Sequence, residues 1–410
     1  MRLHAELYNA ALQERVDAYR KAAVSISYYD QQNTLPAIKK DRPEMVSLGS
    51  HALQETLRRL DRAFQGFFRR VKAGGSPGFP RFKSSRRFPG FAYPDPAGWK
   101  LMQHGTRGAT LRLGSGKKAL MIRARGKHRF GDFTPNDVTL MHRRNPRTGH
   151  SEWQASVTLR VPLEACARQR TGSESVGLDF GVSHWANYAD GSQTDNPRWV
   201  REAAPKLAML QRERARKRKG SHRYRQLSER IRNLHGTIAN NRRDFIHKQT
   251  SALVQRCDLI ATEELQTGNM SRSARGSLEK PGRKVRQKSG LNREILSAGL
   301  AMAHQMLRYK VTETGTRLHL AKTRQLKPSQ RCSGCWGVVR KALADRIHQC
   351  PGCGLSMPRD QNSARVVLYD AWVPSDSPGT GEAARAKPLA ATAAKSNSVT
   401  RETPTTATTA

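Results

Sequence analysis

The sequence predicts a multidomain protein that joins an α+β N-terminal part to an α/β C-terminal part. Three observations support this. Helical patterns and then short alternating runs fill residues 1–165, apolar strands alternate with helices from Val176 onward, and two Cys-x-x-Cys pairs lie near residue 340. At 410 residues the chain is long enough for two or three domains with cores of their own.

Residues 51–72, HALQETLRRLDRAFQGFFRRVK, form the clearest N-terminal helix. Apolar residues recur at helical spacing, at Leu53, Leu57, Leu60, Phe64, Phe67, Phe68 and Val71. The aromatic side chains are interpreted most simply as core. The arginines between them form either a solvated face or a nucleic-acid surface, and the net charge of the chain favours the latter.

Residues 74–94 combine Gly, Pro, Phe and Arg, which suits either base stacking with phosphate contacts or a proline-stiffened linker. Five short alternating runs follow, from WKLMQH to SEWQASVTLRV, separated by turn residues. They predict an antiparallel β unit that ends near residue 163. The polar segment CARQRTGSES then marks the predicted domain boundary.

The C-terminal half alternates strands and helices. VGLDFG, HWANYADG, DLIATEEL and TRLHLAK read as strands, and a long helical region over about 198–256 is broken near Gly220. Residues 271–290 are polar and basic, which predicts a mobile loop, and 291–315 predict one helix. NSARVVLYDAW predicts a short final helix, and residues 373–410 a disordered tail.

The charge of the chain is strongly one-sided. Its 73 Lys and Arg residues face 33 Asp and Glu, which gives a net charge of +40 and a pI near 11.0. Such a field favours a polyanionic partner, and nucleic acid is the common one. The basic block at 212–225 has almost no acids. The predicted nucleic-acid contacts are Arg58, Arg62, Arg69, Arg212, Arg216, Lys217, Arg218, Arg223, Arg242 and Lys248.

Other patterns indicate the compartment. The sequence contains no apolar run of about 20 residues, as a membrane span requires. MRLHAELYNAALQERVDAYRK lacks the features of a signal peptide. Four of the six cysteines cluster in a metal-binding pattern, which suits a reducing interior, so we expect a cytoplasmic protein.

Cys332, Cys335, Cys350 and Cys353 form two pairs with the spacing of a zinc site. Four thiolates fill a tetrahedral coordination sphere and leave no open position for a water, so the zinc is expected to be structural. A redox dithiol, the alternative, would need one pair only.

Three carboxylates stand at predicted element ends: Asp179, Glu263 and Asp360. A charge at the end of an apolar strand is costly unless a cation compensates it. Carboxylate oxygens favour Mg²⁺ or Mn²⁺, and two such ions about 4 Å apart hydrolyse phosphodiesters. For Asp360 the simple alternative is a helix N-cap.

The order of these features resembles the TnpB (OrfB) family, the RNA-guided nucleases of bacterial insertion sequences that are related to type V CRISPR effectors. The matching stretches are VGLDFGVSHWANYADG, NNRRDFIHKQTSALV, LIATEELQTGNM, the two cysteine pairs and RDQNSARVVL, with weaker similarity in LYNAAL, the 51–72 helix and GFPRFK. The resemblance covers roughly residues 5–370.

The resemblance implies a domain plan: a helical recognition and wedge-like β-barrel region over 1–165, an RNase H-like (RuvC) domain over 174–325 and 358–372, and a zinc ribbon over 326–357. It implies that Asp179, Glu263 and Asp360 are the catalytic acids and hold Mg²⁺ for DNA hydrolysis. The choice of Glu263 over Glu264 follows the family pattern. The implied partners are a guide RNA and a target DNA, with sequence specificity delegated mainly to base pairing.

The chain departs from the family pattern at Pro358, Trp336 and Ser363. Family members also usually have a strand before the LYNAAL-like region, so we expect either a late start or a barrel without that strand. Two alternatives remain open: a nuclease-inactive regulator that binds DNA through a guide RNA, and a miniature type V CRISPR effector. Loss of cleavage with retained binding would indicate the former, and a neighbouring repeat array the latter.

Overall fold

The computed structural model describes residues 1–85, 88–105, 107–114, 119–125, 134–145, 151–162, 168–277, 279–342 and 344–372. The chain divides into two compact units. Residues 1–166 and 207–237 form the first, and residues 167–206 and 238–410 the second. The predicted domain boundaries stay predictions. The predicted disordered tail, 373–410, lies outside the described residues.

The first unit opens with helices. They are α1 (Arg2–Ala22), α2 (Tyr28–Asn33), α3 (Leu35–Asp41) and α4 (Ser50–Lys72), with a 3₁₀ turn at Pro43–Leu48. Their common core contains Leu7, Tyr8, Leu12, Leu53, Leu57 and Leu60. The expectation that the aromatic side chains of α4 are core is wrong for Phe68, which is 56% exposed.

Six strands follow: β1 (Phe91–Tyr93), β2 (Trp99–His104), β3 (Gly108–Leu113), β4 (Leu120–Arg125), β5 (Thr134–Arg144) and β6 (Ser151–Arg160). They form two antiparallel sheets, with orders β1-β5-β6 and β2-β3-β4. Trp99, Leu111, Leu113, Val138 and Leu140 pack in their core. The antiparallel unit is therefore confirmed, but the implied barrel is not: among the strands described, each sheet has three members and neither closes.

Two long helices carry the basic block. Helix α5 is Trp199–Ala215 and helix α6 is His222–Arg256, and Gly220 breaks the region as predicted, with a φ of 85° that favours glycine. Within residues 207–237, Leu210, Leu227 and Ile231 pack together. The arginines and lysines of this segment lie on the outside of that small apolar core.

The second unit is built on a five-stranded sheet. Its strands are β7 (Glu174–Phe180), β8 (His184–Tyr188), β9 (Gln193–Asp195), β10 (Cys257–Glu263) and β11 (Arg317–Ala321), in the order β11-β10-β7-β8-β9. Strands β7, β10 and β11 are parallel, whereas β8 and β9 are antiparallel to their neighbours. The carboxyl ends of β7 and β10 therefore meet at one edge of the sheet.

Between β10 and β11 the chain forms α7 (Thr267–Met270), α8 (Val285–Ala298) and α9 (Leu300–Thr314). Helix α8 begins inside the predicted mobile loop. Gly299, with a φ of 70°, divides the single helix predicted over 291–315 into two. A Cβ there would lie 2.7 Å from Cδ1 of Ile246, so the close packing of this corner on α6 also requires glycine.

The chain ends its described part with α10 (Thr323–Leu326), the short hairpin of β12 (Ile347–Gln349) and β13 (Ser356–Pro358), and helix α11 (Arg359–Trp372). Helix α11 packs directly on β7 at Gly177. A Cβ on Gly177 would lie 2.2 Å from the carbonyl oxygen of Ala364 and 2.7 Å from Cβ of Leu368. Because glycine has no Cβ, α11 can approach the sheet this closely at Gly177.

Gly177→Ala is expected to displace α11, since a 2.2 Å contact with backbone cannot be relieved by a side-chain rotation. Overpacking of this kind costs about 1–3 kcal/mol of unfolding free energy, which urea denaturation measures. Gly290→Ala is the matched control. Gly290 lies within α8 with no atom within 4 Å of its missing Cβ, so stability should stay equal or rise. Equal losses in both variants would contradict this account of Gly177.

None of the helices within the described ranges is both long and apolar enough to cross a membrane.

Candidate active site and cysteine cluster

Asp179 and Glu263 stand side by side at the carboxyl ends of neighbouring parallel strands. Leu178 of β7 is in register with Thr262 of β10, so the next residue on each strand carries a carboxylate at the same edge. Thr323, at the start of α10, donates a hydrogen bond from Oγ1 to Oε2 of Glu263 over 3.2 Å. The apolar residues that precede both acids place them at the end of a buried sheet.

Asp360 enters the same site from helix α11. The helix begins at Arg359, so Asp360 lies in its first turn, and the N-cap alternative is wrong. Burial raises the pKa of Asp179 well above its usual range, and the negative charges of Glu263 and Asp360 raise it further, while Arg359 opposes them. Burial also raises the pKa of Glu263. Strands β7 and β10 and helix α11, which are distant in sequence, thus bring three carboxylates close enough to influence the ionisation of Asp179.

The donor set of this site suits a divalent cation. Burial and the charges of Glu263 and Asp360 disfavour the ionised form of Asp179, and a nearby positive charge would stabilise it. Mg²⁺ prefers oxygen ligands, which these carboxylates supply. The oxygens of Asp179, Glu263 and Asp360 would hold such an ion. Among the described residues, only the four cysteines already lie within 4.8 Å of one another as potential ligands.

Other residues support the acids, and sequence patterns did not identify them. Asn187 is 4% exposed and donates from Nδ2 to the backbone oxygen of Asp179 over 3.5 Å. Gln193 donates in turn to Oδ1 of Asn187 over 3.1 Å. Arg359 donates from Nε to Oδ1 of Asp360 over 3.2 Å. Asn187 lies opposite Asp179 in the β7–β8 pairing and Arg359 directly precedes Asp360, so both positions were open to inference from sequence, whereas the contacts themselves depend on the fold.

A polar cavity of about 330 Å³ adjoins this edge of the sheet, lined in part by Glu264, Gln266, Asn269 and Arg308. His304 also lines it, with its ring centroid 5.4 Å from that of Phe180. Burial, and then the charge of Arg308, lowers the pKa of His304 to about 4, so its imidazole is neutral at pH 7. This polar cavity lies next to Glu264, the neighbour of Glu263 in the sequence, and none of the three acids is among the residues that line it.

The four predicted cysteines lie together. Sγ of Cys332 is 3.6 Å from that of Cys353, and Sγ of Cys335 is 3.4 Å from that of Cys350. Tetrahedral zinc with bonds of about 2.3 Å places its sulfur ligands about 3.8 Å apart, so the cluster already approaches that geometry. The backbone N–H of Gly334 also points to Sγ of Cys332 over 3.3 Å. This arrangement fits a zinc ribbon.

Asn362 joins the cysteine cluster to the helix that carries Asp360. Its side chain is fully buried. Oδ1 accepts from the backbone N–H of Ser333 over 2.9 Å, and Nδ2 donates to the backbone oxygen of Arg331 over 2.7 Å. Asn362 lies two residues after Asp360 in α11. Its side-chain amide therefore ties the first cysteine turn to the start of this helix.

Asn362→Ala is expected to lower the unfolding free energy by about 1–3 kcal/mol, because it leaves the buried N–H of Ser333 and the part-buried C=O of Arg331 without this partner. Denaturation monitored in urea gives the value. Asn362→Asp is the informative comparison: it keeps the acceptor for Ser333 but loses the donor to Arg331. An alanine variant as stable as the parent protein would show that Asn362 does not hold the cluster in place.

Most of the predicted nucleic-acid contacts are exposed: Arg58, Arg62, Arg69, Arg212, Arg216, Arg218, Arg223 and Lys248. Some of them also have partners within the protein. Arg58 lies over the ring of Tyr28 at 5.3 Å, Arg62 pairs with Glu55, and Lys248 pairs with Asp244 at 2.7 Å. Lys217 and Arg242 are half-buried, and burial lowers the pKa of Arg242.

Comparison with known proteins gives two matching family models. OrfB_IS605, described as a probable transposase, matches residues 154–274, and the Cas12f1-like TNB domain matches residues 301–367. An Escherichia coli (strain K12) protein named "Putative RNA-guided DNA endonuclease InsQ" is 33% identical over 320 residues, 78% of this chain and 74% of that protein. The chain belongs to the TnpB (OrfB) family. The resemblance stated from the sequence is confirmed.

A second relative of this TnpB-family chain, from Streptomyces pristinaespiralis, is named "Putative RNA-guided DNA endonuclease". It is 26% identical over 365 residues, 88% of this chain and 82% of that protein. The fold resembles that of the protein in a cryo-EM structure of a Cas12f1–sgRNA–target DNA complex, with a TM-score of 0.55 over 89% of this chain and 80% of that one. At 12% identity, this likeness is one of fold.

Proposed function

We propose that this TnpB-family chain is an RNA-guided DNA endonuclease in which Asp179, Glu263 and Asp360 hold catalytic Mg²⁺. The convergence of these three carboxylates at one sheet edge carries the proposal, since the charges of Glu263 and Asp360 both oppose ionisation of the buried Asp179. The names of its E. coli and Streptomyces relatives support the activity. The β11-β10-β7-β8-β9 order supports the RNase H-like (RuvC) assignment of the domain.

Each part of the chain has a role in this function. The carboxylates bind and orient the metal ions, Arg359 restrains the carboxylate of Asp360, and Asn187 holds the backbone at Asp179. When bound, Mg²⁺ supplies an activated water and stabilises the negative charge that develops on a cleaved phosphodiester. The cysteine cluster holds a structural zinc, and through Asn362 it steadies the helix of Asp360. The basic surfaces bind guide RNA and target DNA.

The decisive experiment uses the full chain purified with the RNA that it retains. That RNA is sequenced, and a DNA duplex that matches its guide segment, with varied flanking sequence, is added with Mg²⁺. We expect cleavage that depends on the match and stops with EDTA. Guide-dependent binding without cleavage for any flanking sequence would instead identify a nuclease-inactive regulator.

The basic segment at 207–237 is expected to bind phosphates. Replacing Arg212, Arg216 and Arg218 by glutamine should weaken nucleic-acid binding at all sequences, and it should reduce the slope of log K against log salt by about 2–3. Titrations between low and moderate salt measure the slope. The matched control replaces Arg2, Lys21 and Arg42 by glutamine, which changes the charge equally, but these residues pair with acids at 2.6–3.7 Å. Equal slopes for the two variants would exclude a specific role for the segment.

A further inference from the structure

We propose that an aromatic pocket in the first unit binds an unpaired base of the guide RNA, an inference that rests on the proposed RNA-guided function. The pocket has a volume of about 570 Å³, within the range of small-ligand sites. Its wall is largely apolar and aromatic, with contributions from Val16, Tyr19, Phe64, Phe67, Phe68 and Phe79. A nucleobase has the flat apolar faces that such a wall accommodates.

The pocket is built by a loop that folds back on helix α4. Arg70 donates from Nε to the backbone oxygen of Pro77 over 2.5 Å and from Nη2 to that of Gly78 over 3.0 Å. Gly78 has a φ of 57°, which allows the turn. The loop thereby brings the ring of Phe79 edge-on to Phe64 and Phe67, with centroids 5.6 and 5.3 Å away.

The aromatic rings of the pocket remain exposed although they are held in place. Phe68 is 56% exposed, Phe79 is 49% exposed and Tyr19 is 69% exposed. A contiguous group of exposed large apolar side chains usually marks a binding surface. Here the phenylalanine rings contact each other, so they are held in place while parts of Phe68 and Phe79 stay exposed for stacking.

Arg15 also lines the pocket and places a polar group beside the rings. The side chain of Arg15 is 9% exposed and lies over the ring of Phe64 at 5.3 Å. Its Nε donates to Gln31 over 2.8 Å and its Nη1 to Asp61 over 3.1 Å. Its Nη2 is buried and has no hydrogen-bond partner among the residues that the structure describes. A buried donor without a partner is costly, and a carbonyl oxygen on a base edge would satisfy it.

Charge favours a nucleic acid over an apolar protein segment as the occupant. Arg20 lines the pocket, and Arg69 and Lys72 follow Phe68 on the last turn of α4. With a net charge of +40, the chain attracts phosphates to this rim. Folded RNA presents unpaired bases permanently in its loops, whereas duplex DNA does so only after strand separation, so RNA is the expected source.

The test measures the affinity of the full chain for two labelled probes by fluorescence anisotropy. One is an unstructured RNA of about 12 nucleotides, a length typical of single-strand sites, and the other is a duplex RNA of equal length. Phe68→Leu combined with Phe79→Leu keeps apolar volume but removes the stacking faces. Because stacking contributes about 1–3 kcal/mol per base, we expect a loss of about 5- to 150-fold for the single strand. Duplex binding should be unchanged.

Two variants serve as controls. Phe82→Leu alters a 57% exposed ring in the same loop that does not line the pocket, and it should leave both affinities unchanged. Phe68→Tyr preserves a stacking face and should retain binding. Equal thermal melting of all variants establishes that they fold.

Three results would overturn the proposal: an unchanged single-strand affinity, an equal loss for duplex RNA, or a dimer of the parent chain that dissociates in the leucine variant. The last would identify the pocket as a self-association surface. None of these measurements requires cleavage. Failure of the pocket is therefore distinguishable from failure of the nuclease function, which the guide-matched duplex tests separately.

Discussion

Asp179→Asn is expected to abolish DNA cleavage while it leaves the fold intact. A metal-coordinated site stabilises transition-state charge by several kcal/mol, so loss of its central ligand should reduce the rate by at least about a thousandfold. Single-turnover cleavage of a guide-matched duplex measures the effect. Glu174→Gln is the matched control, since Glu174 lies at the opposite end of β7 and pairs with Arg256 at 3.6 Å. Full cleavage by Asp179→Asn would refute the role of the three acids.

The same variant should change how stability depends on pH. The pKa of Asp179 is raised in the folded state, so the folded protein binds more protons than the unfolded chain above the usual pKa of about 4. Without Mg²⁺, stability should therefore fall as pH rises from about 4 through the raised pKa. Asp179→Asn removes this contribution, so its melting temperature at pH 7 should exceed that of the parent. Mg²⁺ should raise the melting temperature of the parent protein and affect the variant much less.

Removing zinc should cost both structure and activity. Binding of a structural zinc supplies about 10 kcal/mol or more of folding free energy, and the short hairpin of β12 and β13 has little core of its own. Cys332→Ser, or a strong chelator, should therefore unfold residues 326–357 and release the contacts of Asn362. Proteolysis should then cut this segment, and DNA cleavage should be lost together with the bound zinc.

Cys257→Ala separates zinc loss from a general effect of removing a cysteine. Cys257 is buried in the central sheet, where burial raises the pKa of its thiol to about 11, and it lies outside the cluster. This variant should retain one zinc per chain by elemental analysis. A zinc-free protein that resists proteolysis and cuts DNA normally would show that the cysteine cluster is dispensable.

Features that depend on local pattern were open to prediction from the sequence. The cysteine spacing predicted a cluster that the structure contains, and hydrophobic periodicity predicted the α4 helix, the antiparallel β unit and the break near Gly220. The final helix and strands β7 and β10 were also placed correctly, within a few residues at their ends. Such features follow from residue type and short-range spacing, which the chain carries whatever its tertiary fold.

The three acids illustrate the limit of that reasoning. Their residue types and positions at element ends suggested a metal site, but family resemblance was needed to select Glu263 over Glu264. Residue type alone does not show whether a basic side chain is paired: Arg62 pairs with Glu55 and Lys248 with Asp244, each within its own helix. Gly299, where the predicted 291–315 helix breaks, packs closely on Ile246 of α6, and the sequence pattern does not show this contact.

The amino-acid sequence by itself determined the strong positive charge, the spacing of the metal ligands and many, but not all, of the helices and strands. Only the tertiary structure decided that Gly177 admits α11 to the sheet, that Asn362 fastens this helix to the cysteine cluster, and that Phe79 closes an exposed aromatic pocket. The physical reason is the sequence separation of the residues that interact. Periodicity and charge are properties of neighbouring residues, whereas close packing and buried hydrogen bonds join atoms that the chain brings together only when it folds.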